Sequence, residues 1–190
     1  MDLGRVADRS PSRVTEAPDD AAVLVPVADR DDGPHILFTR RADHLGEHPG
    51  QMSFPGGGRE PEDVGVLGTA LREASEEIGL DPVEVEVVGP LDDIRTITGY
   101  AVSPFVGRVP DRTYDPDERE VAEVVWLSLD ALTDPTNYAV ETRDHPAEGR
   151  VVVHYFRVDG YTVWGATARI LTQFLALARD WEPPRTPDAE

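Results

Sequence analysis

Cysteine is absent from these 190 residues, which excludes a disulfide framework. Lysine is absent too: all 18 basic residues are Arg, set against 37 Asp and Glu, and the formal net charge is −19. No apolar run approaches the roughly 20 residues of a membrane span, and the opening "MDLGRVADRSPSRVTEAPDD" has no hydrophobic stretch of signal-peptide length. The charge disfavours non-specific attachment to nucleic acid or to an anionic membrane surface. The expectation is a cytoplasmic protein that engages neither. Self-repulsion of such a surface fades as the Debye length shrinks to about 3 Å near 1 M salt, so the acid excess is read as an adaptation to brine.

The length suits one domain, and 39% hydrophobic residues supply a core. Residues 1–20 and 181–190 ("WEPPRTPDAE") are rich in Pro and charge and poor in apolar periodicity, so both are expected to be flexible ends of a domain spanning 21–180. "AAVLVPVA" and "HILFTR", parted by the turn-forming "DRDDGP", predict a hairpin. A long loop follows, then a helical pattern from about Val64 to Ile78. "VEVEVVGPL", "AVSPFVGRV", "EVVWLSL" and "VVVHYFRV" predict strands, and "GATARILTQFLALARDW" predicts a closing amphipathic helix. Strands and helices mix without regular alternation, which predicts an α+β fold.

The helix carries the chemistry. At about 100° per residue, Leu67, Ala70, Leu71, Ala74, Ile78 and Val64 fall on one side, the expected core side. Arg72, Glu73, Glu76 and Glu77 fall on another. The glutamates are i,i+3 and i,i+4 neighbours, where like charges cost a few tenths of a kcal/mol, or ~0.2–0.5. Gly79 is the expected helix stop, so these carboxylates also oppose the macrodipole near its C-terminus, by about 0.3–1 kcal/mol. A hard divalent cation such as Mg²⁺ or Mn²⁺ would reverse both terms, since it takes carboxylate oxygens and completes its shell with waters and substrate phosphates. The bland alternative is a solvated acidic face.

"GREPEDVGVLGTALREASEEIGL" resembles the Nudix box: Gly58, Arg72, Glu73, Ala74, Glu76, Glu77, Gly79 and Leu80 match its pattern at its spacing. Val64 stands where the box has its first Glu, with Asp63 adjacent. Upstream, "ILFTRRADHLGEHPGQMSFPGG" resembles the segment that precedes the box in the coenzyme A pyrophosphatase subfamily, through Leu37, Thr39, Arg41, Ala42, Gly50, Phe54, Pro55, Gly56 and Gly57. Gly46 occupies a position where that subfamily has Arg. "RTITGYAVSPFVG" and "VWGATARIL" resemble it as well.

The resemblance implies a Nudix fold, a mixed β-sheet sandwiched between α-helices with the box as loop, helix and loop. It also implies Mg²⁺- or Mn²⁺-dependent hydrolysis of a nucleoside diphosphate derivative. For coenzyme A or acyl-CoA the cut would fall in the pyrophosphate; ADP-ribose or another nucleotide sugar is the alternative substrate, and a non-catalytic nucleotide-binding module the alternative of another class. The implied metal ligands are Glu73, Glu77 and Glu76, with a backbone carbonyl of Gly57 or Gly58. Arg72 is expected to orient a neighbouring carboxylate such as Asp63. The general base is left open among Glu76, Glu77, Glu118, Glu120 and Glu123. Arg41, His48, Gln51, Arg95 and Tyr100 are the expected substrate contacts, with His44 as a further candidate. Trp164, Ile170, Leu171, Phe174 and Leu175 are read as core. The expected partner is a nucleotide-containing small molecule, and a homodimer is compatible with the sequence.

Overall fold

The computed structural model describes residues 1–15, 20–46, 48–96, 99–145 and 149–184. Helix α1 (Gly4–Ala7) precedes the antiparallel hairpin of β1 (Asp20–Arg30) and β2 (Gly33–Arg41). Two short strands follow, β3 (Met52–Ser53) and β4 (Gly56–Gly58), then helix α2 (Gly65–Ile78). After β5 (Glu86–Pro90), β6 (Ile94–Arg95), β7 (Ala101–Arg108) and β8 (Val121–Ser128), the short helix α3 (Leu129–Thr133) leads to β9 (Tyr138–His145). Strands β10 (Gly149–Val158) and β11 (Tyr161–Trp164) and helix α4 (Gly165–Arg179) complete the order.

Strands β1 to β8 form one mixed sheet. β1 runs parallel to β7, while β1–β2, β1–β4, β2–β8 and β5–β7 are antiparallel. Strands β9, β10 and β11 make a separate antiparallel sheet. Alternation along the strands sends side chains to two faces. Ala22, Leu24 and Leu37 meet Ala70, Ala74 and Ile78 of α2 on one face. Val25, Val27, Ile36 and Phe38 meet α1, α3, α4 and the small sheet on the other. The architecture is therefore the expected α+β sandwich.

Three local expectations are corrected. The segment 1–15 is docked rather than loose: Leu3 and Val6 are buried, Asp2 N–H donates to Ala178 O at 3.1 Å, and Ser12 and Val14 N–H donate to Asp92 and Asp93. Its apolar anchors, Leu3 and Val6 with Met1 packed beside them, are too few to make a periodic signal. Trp181 also belongs to the fold, packed on Tyr138 and Phe156 with its Nε1–H donating to Thr133 O at 3.2 Å. The rest of the expected loose ends, residues 16–19 and 185–190, lies outside the described residues. Val64 is 91% exposed instead of buried. It caps α2 with a non-helical ψ of 79°, so the helical wheel does not apply to it.

Candidate active site

Strand β4 and helix α2 are pressed together by glycine. At Gly56 (φ 154°) a Cβ would meet Ala22 O at 2.3 Å, so only glycine lets β4 lie flush on β1. A Cβ on Gly57 would meet Glu73 Oε1 at 2.5 Å, which brings the Glu73 carboxylate directly against the β4 backbone. Gly56 N–H in turn donates to Glu77 Oε2 at 3.1 Å. Helix α2 ends at Gly79 in the left-handed region (φ 64°), as expected.

Arg72 is the hub of the opposite side. Its Nε and Nη2 donate to Asp63 Oδ1 and Oδ2 at 2.8 and 3.2 Å, a two-pronged pairing. Nη2 also donates to Gly58 O at 3.0 Å, and Nη1 to Glu76 Oε2 at 2.9 Å, with Glu73 Oε1 at 3.1 Å. Asp63 further accepts from Glu60 N–H and Thr69 Oγ1, both at 2.8 Å. Arg72 and these donors hold the Asp63 carboxyl well below the usual carboxylate range. The loop 58–63 is thereby clamped onto α2.

Glu77 departs from the bland alternative of a solvated acidic face: it is only 8% exposed. Its wheel position borders the core stripe, and β4 covers it. Burial pushes its carboxyl up to about 8, with Glu73 and Glu120 adding to the shift and Gly56 N–H and Arg41 opposing it. Glu73 is raised as well, first by burial, against the pull of Arg72 and with Glu76 and Glu120 on the side of burial. Glu76 is largely exposed and turned to Arg72.

Glu73 and Glu77 are therefore two hard oxygen donors whose charge is costly where it stands, and a divalent cation would relieve that cost. Among the described residues no three His, Cys, Asp or Glu side chains already close round a common point. The expected set of Glu73, Glu76 and Glu77 is thus not closed: Glu76 turns to Arg72, and Glu73 and Glu77 are left as the carboxylates that would serve a hard cation, whose remaining shell is water and phosphate. The donor set fits the metal. Among the three downstream acids, Glu120 is the one whose charge acts on both Glu73 and Glu77. Glu123 accepts from Tyr161 OH at 2.8 Å and faces Arg40, and Glu118 is exposed.

The expected substrate contacts fall into two groups. Arg41 lies on the carboxylate side, where its charge acts on Glu77, and its Nε is buried with no hydrogen-bond partner among the described residues. His48 and Gln51 instead border a cavity of about 500 Å³, together with Thr96 and Arg169. Gln51 O accepts from Arg41 N–H at 3.0 Å, which ties the two groups together. Arg95 and Tyr100 flank the β6–β7 turn, both exposed, and Arg95 O accepts from Arg169 Nη1 at 2.9 Å. His44 is exposed on its loop; Glu47, Ile97 and Thr98 of the neighbouring motifs lie outside the described residues. Trp164, read as core, is only half-buried and walls the cavity with Gly165 and Ala166. Sequence reasoning missed Val151, Val152, Val153 and Arg169 at this cavity. The signal available was "VWGATARIL", where an aromatic residue directly precedes the glycine that opens α4.

The chain matches the family model described as "NUDIX domain" over residues 18–156. It is 38% identical over 167 residues to an uncharacterized Nudix hydrolase, NudL, of Enterobacter sp. (strain 638), covering 86% of this chain and 84% of that one. The corresponding protein of Yersinia enterocolitica is 39% identical over 153 residues, 80% of this chain and 77% of the relative. Among solved structures, a Nudix hydrolase from M. smegmatis, RenU, superposes with a TM-score of 0.52 at 23% identity, over 67% of this chain and 83% of that chain. A MutT/nudix family protein from Enterococcus faecalis gives a TM-score of 0.52 at 15% identity, over 85% of this chain and 62% of that chain. These structural likenesses speak to the fold. No helix among the described residues is long and apolar enough to cross a membrane.

Proposed function

The chain belongs to the NUDIX family and is a Nudix pyrophosphohydrolase, and from that premise we propose that its substrate is coenzyme A or an acyl-CoA, cut to 3′,5′-ADP and (acyl-)4′-phosphopantetheine. The observation that carries this reading is the meeting of two motifs at one place. Arg41 of the upstream segment sets its charge against Glu77 of the box, and Gly56 and Gly57 of the same segment lie against Glu77 and Glu73. The segment that marks the subfamily thus contributes directly to the candidate centre.

In this reading Glu73 and Glu77 hold a divalent cation, Mg²⁺ or Mn²⁺, with the Gly57 carbonyl and Glu76 as further donors. When bound, the cation neutralises the diphosphate and lowers the pKa of a water for attack on phosphorus. Gly56 N–H fixes the Glu77 carboxylate on the β4 side. Arg72, anchored by Asp63, fixes Glu73 and Glu76. Arg41 offers an unspent donor to a phosphate oxygen. The base that accepts the water proton is drawn from Glu76, Glu77 and Glu120, the last being the acid outside the box whose charge reaches Glu73 and Glu77.

Gly46, in place of a subfamily Arg, favours a second reading, a nucleotide sugar such as ADP-ribose. Incubating purified protein with CoA, acetyl-CoA and ADP-ribose, with Mn²⁺ in molar KCl, and identifying the products separates the two. Release of 3′,5′-ADP supports the proposal; products from ADP-ribose alone reject it. The same reading places the enzyme in a salt-rich cytoplasm, on the strength of its charge of −19.

A further inference from the structure

A second cavity, of about 530 Å³, lies on the α2 side of the main sheet and within the size range of small-molecule sites, roughly 300–1,000 Å³. Its floor is β8, whose Val124 and Trp126 pack in the same cluster as Ala70 and Ala74 of α2. Its walls are Arg30, the last residue of β1, and the segment between β7 and β8, which supplies Asp111, Arg112 and Tyr114. Glu73, Glu77, Arg72 and the β4 glycines do not line it.

Two arginines sit over two aromatic rings here. The Arg30 guanidinium stands 5.2 Å from the Trp126 ring centroid and that of Arg112 4.3 Å from the Tyr114 centroid, with the two rings 6.2 Å apart. The cations differ in what they still offer. Arg112 is engaged, donating to Glu84 Oε2 at 2.7 Å and to Gly79 O at 3.2 Å. Arg30 faces Asp111 at 3.4 Å and makes no hydrogen bond among the described residues. Its planar fork of N–H groups is therefore available to an anionic oxygen, held beside an indole on a protein of net charge −19. Of the nearby acids, Glu84 is taken by Arg112 and Glu123 by Tyr161 OH, which leaves Asp111 as the group an anion would displace.

We propose that this cavity is a second ligand site, for a nucleoside monophosphate whose base stacks against Trp126 and whose phosphate replaces Asp111 at Arg30. The inference goes beyond the hydrolase reading and does not depend on which diphosphate is cut. A flat ring matches the indole and guanidinium planes, and stacking of this kind contributes about 5–150-fold in affinity per base. A charge-assisted bond from Arg30 to the phosphate contributes about tenfold or more. Neither half of the ligand alone uses both features.

The test is calorimetric titration with AMP in chelator, where the carboxylate centre has no cation to hold a phosphate. Adenosine and ribose 5-phosphate supply the two halves separately. The proposal expects saturable AMP binding, each half weaker by about tenfold or more, and AMP binding weakened by about tenfold or more in Arg30→Gln. Tryptophan fluorescence locates the ligand independently: AMP should quench the wild type and Trp164→Phe alike, and the quench should be lost in Trp126→Phe. Trp164 borders the other cavity, beside the candidate centre, so it reports binding there. Absence of AMP binding, binding that Arg30→Gln leaves unchanged, or a quench that follows Trp164 instead of Trp126 overturns the proposal.

Discussion

Replacing Glu77 by Gln keeps the side-chain shape and the acceptor for Gly56 N–H, and removes one buried ionisable group. In the folded protein burial is the main force raising this carboxyl from 4.5 to about 8. The folded chain then holds the proton more tightly than the unfolded chain. Its contribution to stability is full below about pH 4.5 and is lost as the pH rises to about 8. Each pH unit of that window corresponds to ~1.4 kcal/mol. Structural relaxation and residual water reduce the total, leaving about 2–4 kcal/mol. Urea unfolding in chelator at pH 5 and pH 9 reads it directly. Between those values the wild type should lose about 2–4 kcal/mol that Glu77→Gln does not lose. Mn²⁺ added at pH 8 should stabilise the wild type far more than the variant, and hydrolysis by the folded variant should fall about 10²-fold or more. Parallel pH profiles in chelator, or equal stabilisation by Mn²⁺, would refute the picture of a buried charge awaiting a cation.

The glycines of β4 separate structure from catalysis. Gly56→Ala meets the Ala22 backbone and should destabilise by about 2–5 kcal/mol, seen as a lowered urea midpoint. Gly57→Ala meets the Glu73 carboxylate, which Arg72 holds, rather than backbone, so it should lower the midpoint less than Gly56→Ala and reduce hydrolysis about 10²-fold, measured as kcat/KM. Asp63→Asn should lower activity roughly 10–100-fold by loosening Arg72. Because the Asp63 carboxyl is depressed in the fold, its contribution is present at neutral pH and vanishes as the pH falls below the usual carboxylate range. The stability gap between this variant and the wild type should therefore close in acid. Melting temperature and activity should both rise from dilute buffer to about 1 M KCl; a flat or falling profile contradicts the salt adaptation.

The fold was legible where periodicity was long. The β1–β2 hairpin, α2 and the α4 core residues Ile170, Leu171, Phe174 and Leu175 follow from apolar spacing and turn residues. What escaped was what distant contacts decide. Leu3 and Val6 gain a partner surface from β5 and α4, distant in the chain, so nothing local marks α1 as ordered. Glu77 sits on the polar side of a helical wheel and is buried by β4, a strand of glycines with no hydrophobic pattern. Trp164 reads as core because composition does not distinguish a filled interior from the wall of a cavity. The Nudix resemblance reached further at the box, since its residues are brought together through Arg72, Asp63 and β4.

The central claim is that Glu73 and Glu77 form the seat of a divalent cation against β4. Crystals grown or soaked in Mn²⁺ and measured at the manganese edge test it directly. The account predicts an anomalous peak within coordination distance of the Glu73 and Glu77 carboxylates, lost in Glu77→Gln. Well-diffracting crystals with no peak there, or with manganese bound only elsewhere on the surface, would contradict it.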